Sequence, residues 1–170
     1  MYDLQQKILE KVDNNRVVKL TKDLIQIPSF TLEERECAEW AASYLEKMGL
    51  DIEVQNVRNS ANVIGKLEGT GGGSSLMLNG HLDIDALCGE WKHDPFKPVV
   101  EDNRLYGLGS TNMKGGDAAF MEATNAIIDA GVELKGDLIL TLVMGELTGG
   151  VGTEYMLRSG VKADMAILPE

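Results

Sequence analysis

His81 and Asp83 stand two residues apart, an imidazole and a carboxylate that an extended backbone carries on the same side. That pair suits a metal-binding histidine oriented by an acid behind it, and equally a hydrogen-bonded loop histidine with no metal. Asp85 adds acidity without specificity. Glu146, between Gly145 and Leu147-Thr148-Gly149-Gly150, sets a carboxylate where glycines leave room for a substrate. It is a candidate general base, or an acid answering the dipole of a helix N-terminus. The run from Gly107 through Asn112-Met113-Lys114-Gly115-Gly116 fails the phosphate-loop pattern, because no glycine directly precedes Lys114. It also misses the glycine offsets of a dinucleotide fingerprint and reads as a tight loop entering a helix. Cys37 falls on an apolar stripe and reads as core, while Cys88 has no partner pair nearby and His93 sits in an ordinary loop. The two thiols are poor candidates for nucleophiles.

These groups must be positioned by the elements around them. Residues 76–78, 138–144 and 165–168 are near-continuous apolar runs, the pattern of strands covered on both faces. Between the first two lies a helical pattern over 113–130, with Ala119, Ala123, Ile127 and Ala130 in register, and a shorter one follows over 152–157. Strands alternating with helices predict a mostly parallel sheet flanked by helices on both faces. Ligands of such sheets collect beyond the carboxyl ends of the strands. His81, Asp83, Glu146 and Glu170 all fall just past strand ends, and Asn112 falls at the start of the intervening helix, so all five should share one rim. Upstream, the chain as far as Gln26 reads as helical, with Leu4, Ile8 and Val12 on one face. Ile27-Pro28-Ser29 ends that pattern. Thr31 and Glu34 have capping-box spacing, ahead of an amphipathic helix marked by Cys37, Trp40, Ala41, Tyr44, Leu45 and Met48 that stops near Gly49. Residues 51–57 and 62–67 are strand-like, and 69–75 reads as a hairpin loop or flexible turn.

The 170 residues carry 16 Lys and Arg against 27 Asp and Glu, a formal charge of −11. That balance speaks against nucleic acid as a partner. No apolar run nears the roughly 20 residues that span a bilayer, so no membrane partner is expected. The opening residues are too acidic and polar for a signal peptide, and two cysteines make no disulfide framework, so the sequence predicts a cytoplasmic protein.

Jointly the motifs are far more specific than singly. Leu78-Asn79-Gly80-His81-Leu82-Asp83, then Trp91-Lys92-His93-Asp94-Pro95-Phe96, then Leu105-Tyr106-Gly107 through Met113-Lys114-Gly115-Gly116, then Glu146 before Thr148-Gly149-Gly150-Val151-Gly152-Thr153, resemble the M20 metallohydrolases in order and spacing. The resemblance implies a three-layer, zinc-peptidase-like α/β domain with a mostly parallel central sheet. It makes residues 1–170 the N-terminal part of a catalytic domain, without the family's lid domain. It implies amide hydrolysis of deacylase, dipeptidase or carboxypeptidase type on a small-molecule amide or peptide, at a two-metal site that is usually zinc. By resemblance His81 binds the first metal, Asp83 orients it, Glu146 is the general base and Glu170 is a further ligand of the first metal.

The departures fall on the second metal. Asn112 stands where the family has a bridging Asp, Leu147 where it has a second-metal Glu, and Gly145 where its motif opens with Asp. An amide offers one neutral oxygen and leucine offers none. The sequence therefore predicts at most one ion (zinc, or another divalent metal such as cobalt or manganese), held weakly by His81, Asn112 and Glu170, and negligible turnover by these residues alone. Two readings stay open: a one-metal hydrolase, and a non-catalytic binding or interaction module on the same fold. The remainder of a catalytic domain or a second copy would be a partner in either case.

Overall fold

The computed structural model describes residues 2–170. Three helices open the chain: α1 (Tyr2–Leu9), α2 (Asn14–Ile25) and α3 (Arg35–Lys47). The single helical stretch expected as far as Gln26 is broken after α1. Asp13 turns extended there, and its carboxylate accepts the N–H of Asn15 at 2.8 Å to cap α2. Leu4 and Val12 of the expected stripe are exposed. Ile27-Pro28-Ser29 does end α2, and the chain then runs beside residues 82–84. Phe30 bridges Ile84, and the Ser29 hydroxyl donates to the Leu82 carbonyl at 2.6 Å. Along α3 the apolar positions at helical spacing bury Cys37, Ala38, Ala41 and Leu45.

The strands are β1 (Asp51–Val57), β2 (Ser60–Leu67), β3 (Leu76–His81), β4 (Val99–Glu101), β5 (Arg104–Tyr106), β6 (Leu138–Val143) and β7 (Met165–Ile167). Five of them form one sheet in the order β1-β2-β6-β3-β7. β3 runs parallel to β6 and to β7, whereas β1–β2 and β2–β6 are antiparallel. The sheet, expected to be mostly parallel, is parallel in the half that carries the site and antiparallel in the other. Residues 69–75 close no hairpin, because β6 lies between β2 and β3. Their backbone instead donates to the carbonyls of Leu134 and Lys135.

Helix α4 (Gly115–Asp129) follows the loop at Asn112, and α5 (Val151–Arg158) follows Glu146. Side chains along β6 alternate as a strand requires. Leu138, Leu140 and Leu142 join Leu24 of α2, Leu45 of α3 and Met121 of α4 in the larger core. Ile139 and Val143 turn to the other face and meet Met156 of α5. The result is three layers, helix–sheet–helix. α2 is clamped to α4 by Arg16, which bonds Glu122 and, at 2.9 Å, Asp129.

One expectation fails and one element was not foreseen, each for a physical reason. β7 reads as a strand covered on both faces, yet Met165 is 54% and Ile167 49% exposed. Among the described residues it is an edge strand, paired with β3 alone. The β4–β5 hairpin has no counterpart in the sequence reading, since three-residue strands are too short to show alternation. Its turn is made by Asp102 and Asn103, both at positive φ (48° and 60°).

Candidate metal centre

β3 ends at His81, whose ring is almost wholly buried. Nδ1 lies 3.0 Å from the Asp83 backbone carbonyl and 3.3 Å from its carboxylate. Nε2 points the other way, 2.8 Å from Asn112 Oδ1 and 3.8 Å from both Glu146 Oε2 and Glu170 Oε1. Donor atoms of His81, Glu146 and Glu170 all lie within 4.8 Å of one another. All five residues expected at one rim are therefore together. Asn112 arrives on the short turn ahead of α4, entered through Gly109 in the left-handed region (φ 82°), and its own backbone is extended.

Glu146 is held by its backbone. Gly145 is left-handed (φ 65°, ψ 33°), so β6 turns sharply there. Asp83 Oδ1 accepts the N–H of Glu146 at 3.0 Å, and Oδ2 accepts that of Leu147 at 2.9 Å. One carboxylate thus fixes both the His81 ring and the Glu146 loop. Asn62 of β2 accepts the Met144 N–H at 3.0 Å and donates to the Gly152 carbonyl at 2.9 Å, pinning both ends of the loop. Sequence reasoning missed Asn62, although an amide inside the apolar run Ala61-Asn62-Val63-Ile64 was a signal. It also misassigned Glu34. No capping box forms. Glu34 takes the N–H of Leu32 at 2.8 Å and that of Gly145 at 3.0 Å.

The charges behind the ring are unusual. Burial alone would lower the His81 pKa, but the hydrogen bond and charge of Asp83, with Asp117 and Asn112 beyond, raise it to about 9. Burial would raise Asp83, yet the His81 bond and the Leu147 and Glu146 N–H groups outweigh it and hold Asp83 below the usual carboxylate range. Asp117 on α4 is fully buried with neither carboxylate oxygen bonded, and that desolvation pushes its pKa well up. It sits against the Cα of Gly80, where a Cβ would collide with it. Lys114 is buried too, its Nζ donating to the carbonyls of Leu24 at 2.7 Å and Ile27 at 2.9 Å, and burial lowers its pKa.

The donor set is of the kind that holds a divalent ion. Ligands about 2.0–2.2 Å from a shared centre stand about 3.4 Å apart, close to the 3.8 Å seen from Nε2 to each glutamate. A cavity of about 420 Å³ opens beside them, walled by Met113, Leu157 and Leu168. The structure adds one point to the sequence reading: Glu146 lies as near Nε2 as Glu170 does. Leu147 is an exposed side chain with no donor, and among the described residues no second such cluster occurs.

The sequence model of Peptidase family M20/M25/M40 matches residues 77–168, more than half of the chain and the stretch from β3 to the end of β7. The chain belongs to this family. Curated relatives align along nine tenths or more of it. The N-formyl-4-amino-5-aminomethyl-2-methylpyrimidine deformylase of Bacillus subtilis is 39% identical over 100% of this chain and 41% of its own length. Acetylornithine deacetylase of Salmonella typhimurium is 32% identical over 90% of the chain and 42% of its own. The chain spans about two fifths of the curated relatives it matches. Among solved structures, an M20 family metallo-carboxypeptidase from Sulfolobus solfataricus superposes with a TM-score of 0.80 over 92% of this chain and 37% of that one. At 23% identity that likeness establishes the fold. No described helix is long and apolar enough to cross a membrane.

Proposed function

We propose that residues 1–170 are the N-terminal part of an M20 catalytic domain. The parent protein hydrolyses an amide bond of a small N-acyl amine or peptide, using one divalent ion held by His81 and Glu170 with the neutral amide oxygen of Asn112 as a third ligand. The observation that carries this reading is the convergence of His81, Glu146 and Glu170 within 4.8 Å. When bound, the ion polarises the amide carbonyl and acidifies water. Asp83 keeps the imidazole oriented from its Nδ1 side, leaving Nε2 for the ion. Glu146, aimed at the same point from the next loop, takes the proton from water and returns it to the departing amine. The Bacillus relative makes formamides the first substrates to try, ahead of acetyl and succinyl amides.

The test is hydrolysis of N-formyl, N-acetyl and N-succinyl amines by the full-length parent protein loaded with zinc, cobalt or manganese. Turnover that Glu146→Gln abolishes while the fold persists supports the reading. The 170-residue chain by itself should turn over negligibly. A second reading, a non-catalytic binding module, is favoured by one observation: Leu147 and Asn112 remove two anionic donors from the rim. The pair Asn112→Asp with Leu147→Glu separates the two. It should raise zinc affinity markedly if the rim keeps a metal-binding shape, and leave it unchanged if the rim has lost that shape.

A further inference from the structure

Glu34 is a buried carboxylate that the chemistry above does not use. It is 0% exposed, has no basic partner among the described residues, and leaves Oε2 buried without any hydrogen bond. Burying a charge on two N–H donors alone is costly, so its position calls for a reason. It does not cap α3, whose N-terminus receives no side-chain bond. One of its two donors is local, Leu32 N, itself at positive φ (74°). The other is Gly145 N, 111 positions away and immediately before Glu146. The N–H groups of Gly145, Glu146 and Leu147 therefore converge in succession on two buried carboxylates, the first on Glu34 and the next two on Asp83. Such a run of N–H groups closing on fixed anions dictates the backbone path, and with it the direction in which the Glu146 side chain leaves. The arrangement is reachable only because residues 29–30 lie along residues 82–84, which brings the turn at 31–34 beside the end of β6.

We infer that Glu34 is a positioning residue for Glu146, acting through the Gly145 peptide. The inference rests on the function proposed above only in naming Glu146 as the group positioned. What the tether needs is an oxygen at that depth rather than a negative charge. Glu34→Gln keeps such an oxygen at full reach. Glu34→Asp keeps the charge but withdraws it by one methylene, and Glu34→Ala removes both.

The experiment is amide hydrogen exchange on the 170-residue chain and these three variants, resolved at Gly145, Glu146 and Leu147, with Ala41 and Leu45 of α3 as internal references. Losing that hydrogen bond should speed exchange at Gly145 by up to about tenfold over the α3 references in Glu34→Asp and Glu34→Ala. Glu34→Gln should stay near the wild type. Co²⁺ affinity should follow the same order. Glu34→Asp behaving as wild type while Glu34→Gln loosens would overturn the inference, because charge and not reach would then matter. Exchange rising equally at Gly145 and in α3 would also overturn it, leaving Glu34 a general stabiliser. Should Glu34→Ala fail to fold, the Gln and Asp pair decides. Absence of hydrolysis by the parent protein would sink the proposed function and leave the exchange result standing.

Discussion

At the residue scale, the site is governed by how few charges offset one another. His81 has two partners of opposite kind, Asp83 on Nδ1 and Asn112 on Nε2. With its pKa raised from 6.5 to about 9, the ion-free imidazole is protonated near neutrality and donates from both nitrogens. The raised value contributes stability that is fully present below pH 6.5 and is lost as pH rises through about 9. An ion needs the Nε2 lone pair, so binding must expel that proton. Zinc affinity should climb by about tenfold per pH unit between pH 6 and 8, with one proton released per ion. Calorimetry in buffers of different ionisation enthalpy checks this, and a flat pH profile would contradict it. Asp117 carries the opposite lesson. Its folded pKa lies well above 3.8, so the fold favours its neutral form and loses stability as pH rises above that value. Asp117→Asn should leave stability unchanged near pH 4 and raise it by roughly 1–3 kcal/mol at pH 8, read from urea unfolding at both pH values. His81, Asp83, Asn112, Glu146 and Glu170 were all legible in the sequence, because each sits at a strand end or helix start that apolar runs delimit. Asp117 and Glu34 were not, since only the fold shows which acids end up dry.

At the element scale, local pattern foretold the helices and tertiary contact decided their details. The amphipathic spacing of α3 was sufficient to place it. The Thr31–Glu34 spacing looked like a cap, but the carboxylate found a distant N–H that short-range rules cannot see. Likewise the loop after β6 depends on Asn62, an element away, and on the bareness of Gly152 at the start of α5. A Cβ at 152 would run into the Met144 backbone and the Asn62 amide. Gly152→Ala should therefore cost about 3 kcal/mol, with the exchange protection of Met144 lost first. An unfolding midpoint indistinguishable from that of the unsubstituted chain would show that the loop can shift away from α5. Gly149 and Gly150, both at positive φ with open space around them, resist side chains for the different reason of backbone strain.

At the scale of the whole molecule, the class of fold was readable from strand–helix alternation and the mixed character of the sheet was not. Apolar runs announce burial and stay silent about direction, so the antiparallel β1–β2–β6 half passed unseen. The edge strand β7 misled in the same way, since its apolar side chains remain exposed. The strand order carries a further consequence for how the chain is made. β2 and β3 leave the ribosome one after the other, separated by only a short glycine-rich linker, yet they never pair. The slot between them belongs to β6, which emerges only after β4, β5 and the whole of α4 have been made. Until then the nascent chain must either hold the two strands apart or form a wrong hairpin that later has to break. Both routes slow assembly, because the pairing that completes the sheet is long-range. In refolding followed by pulsed hydrogen exchange, amides of α3 and the β1–β2 pair should become protected first, and those of β3 only together with β6. Protection of β3 ahead of β6 would reveal the premature hairpin directly. The rim that gathers positions 81, 112, 146 and 170 could on either route come together only after β6 has been made.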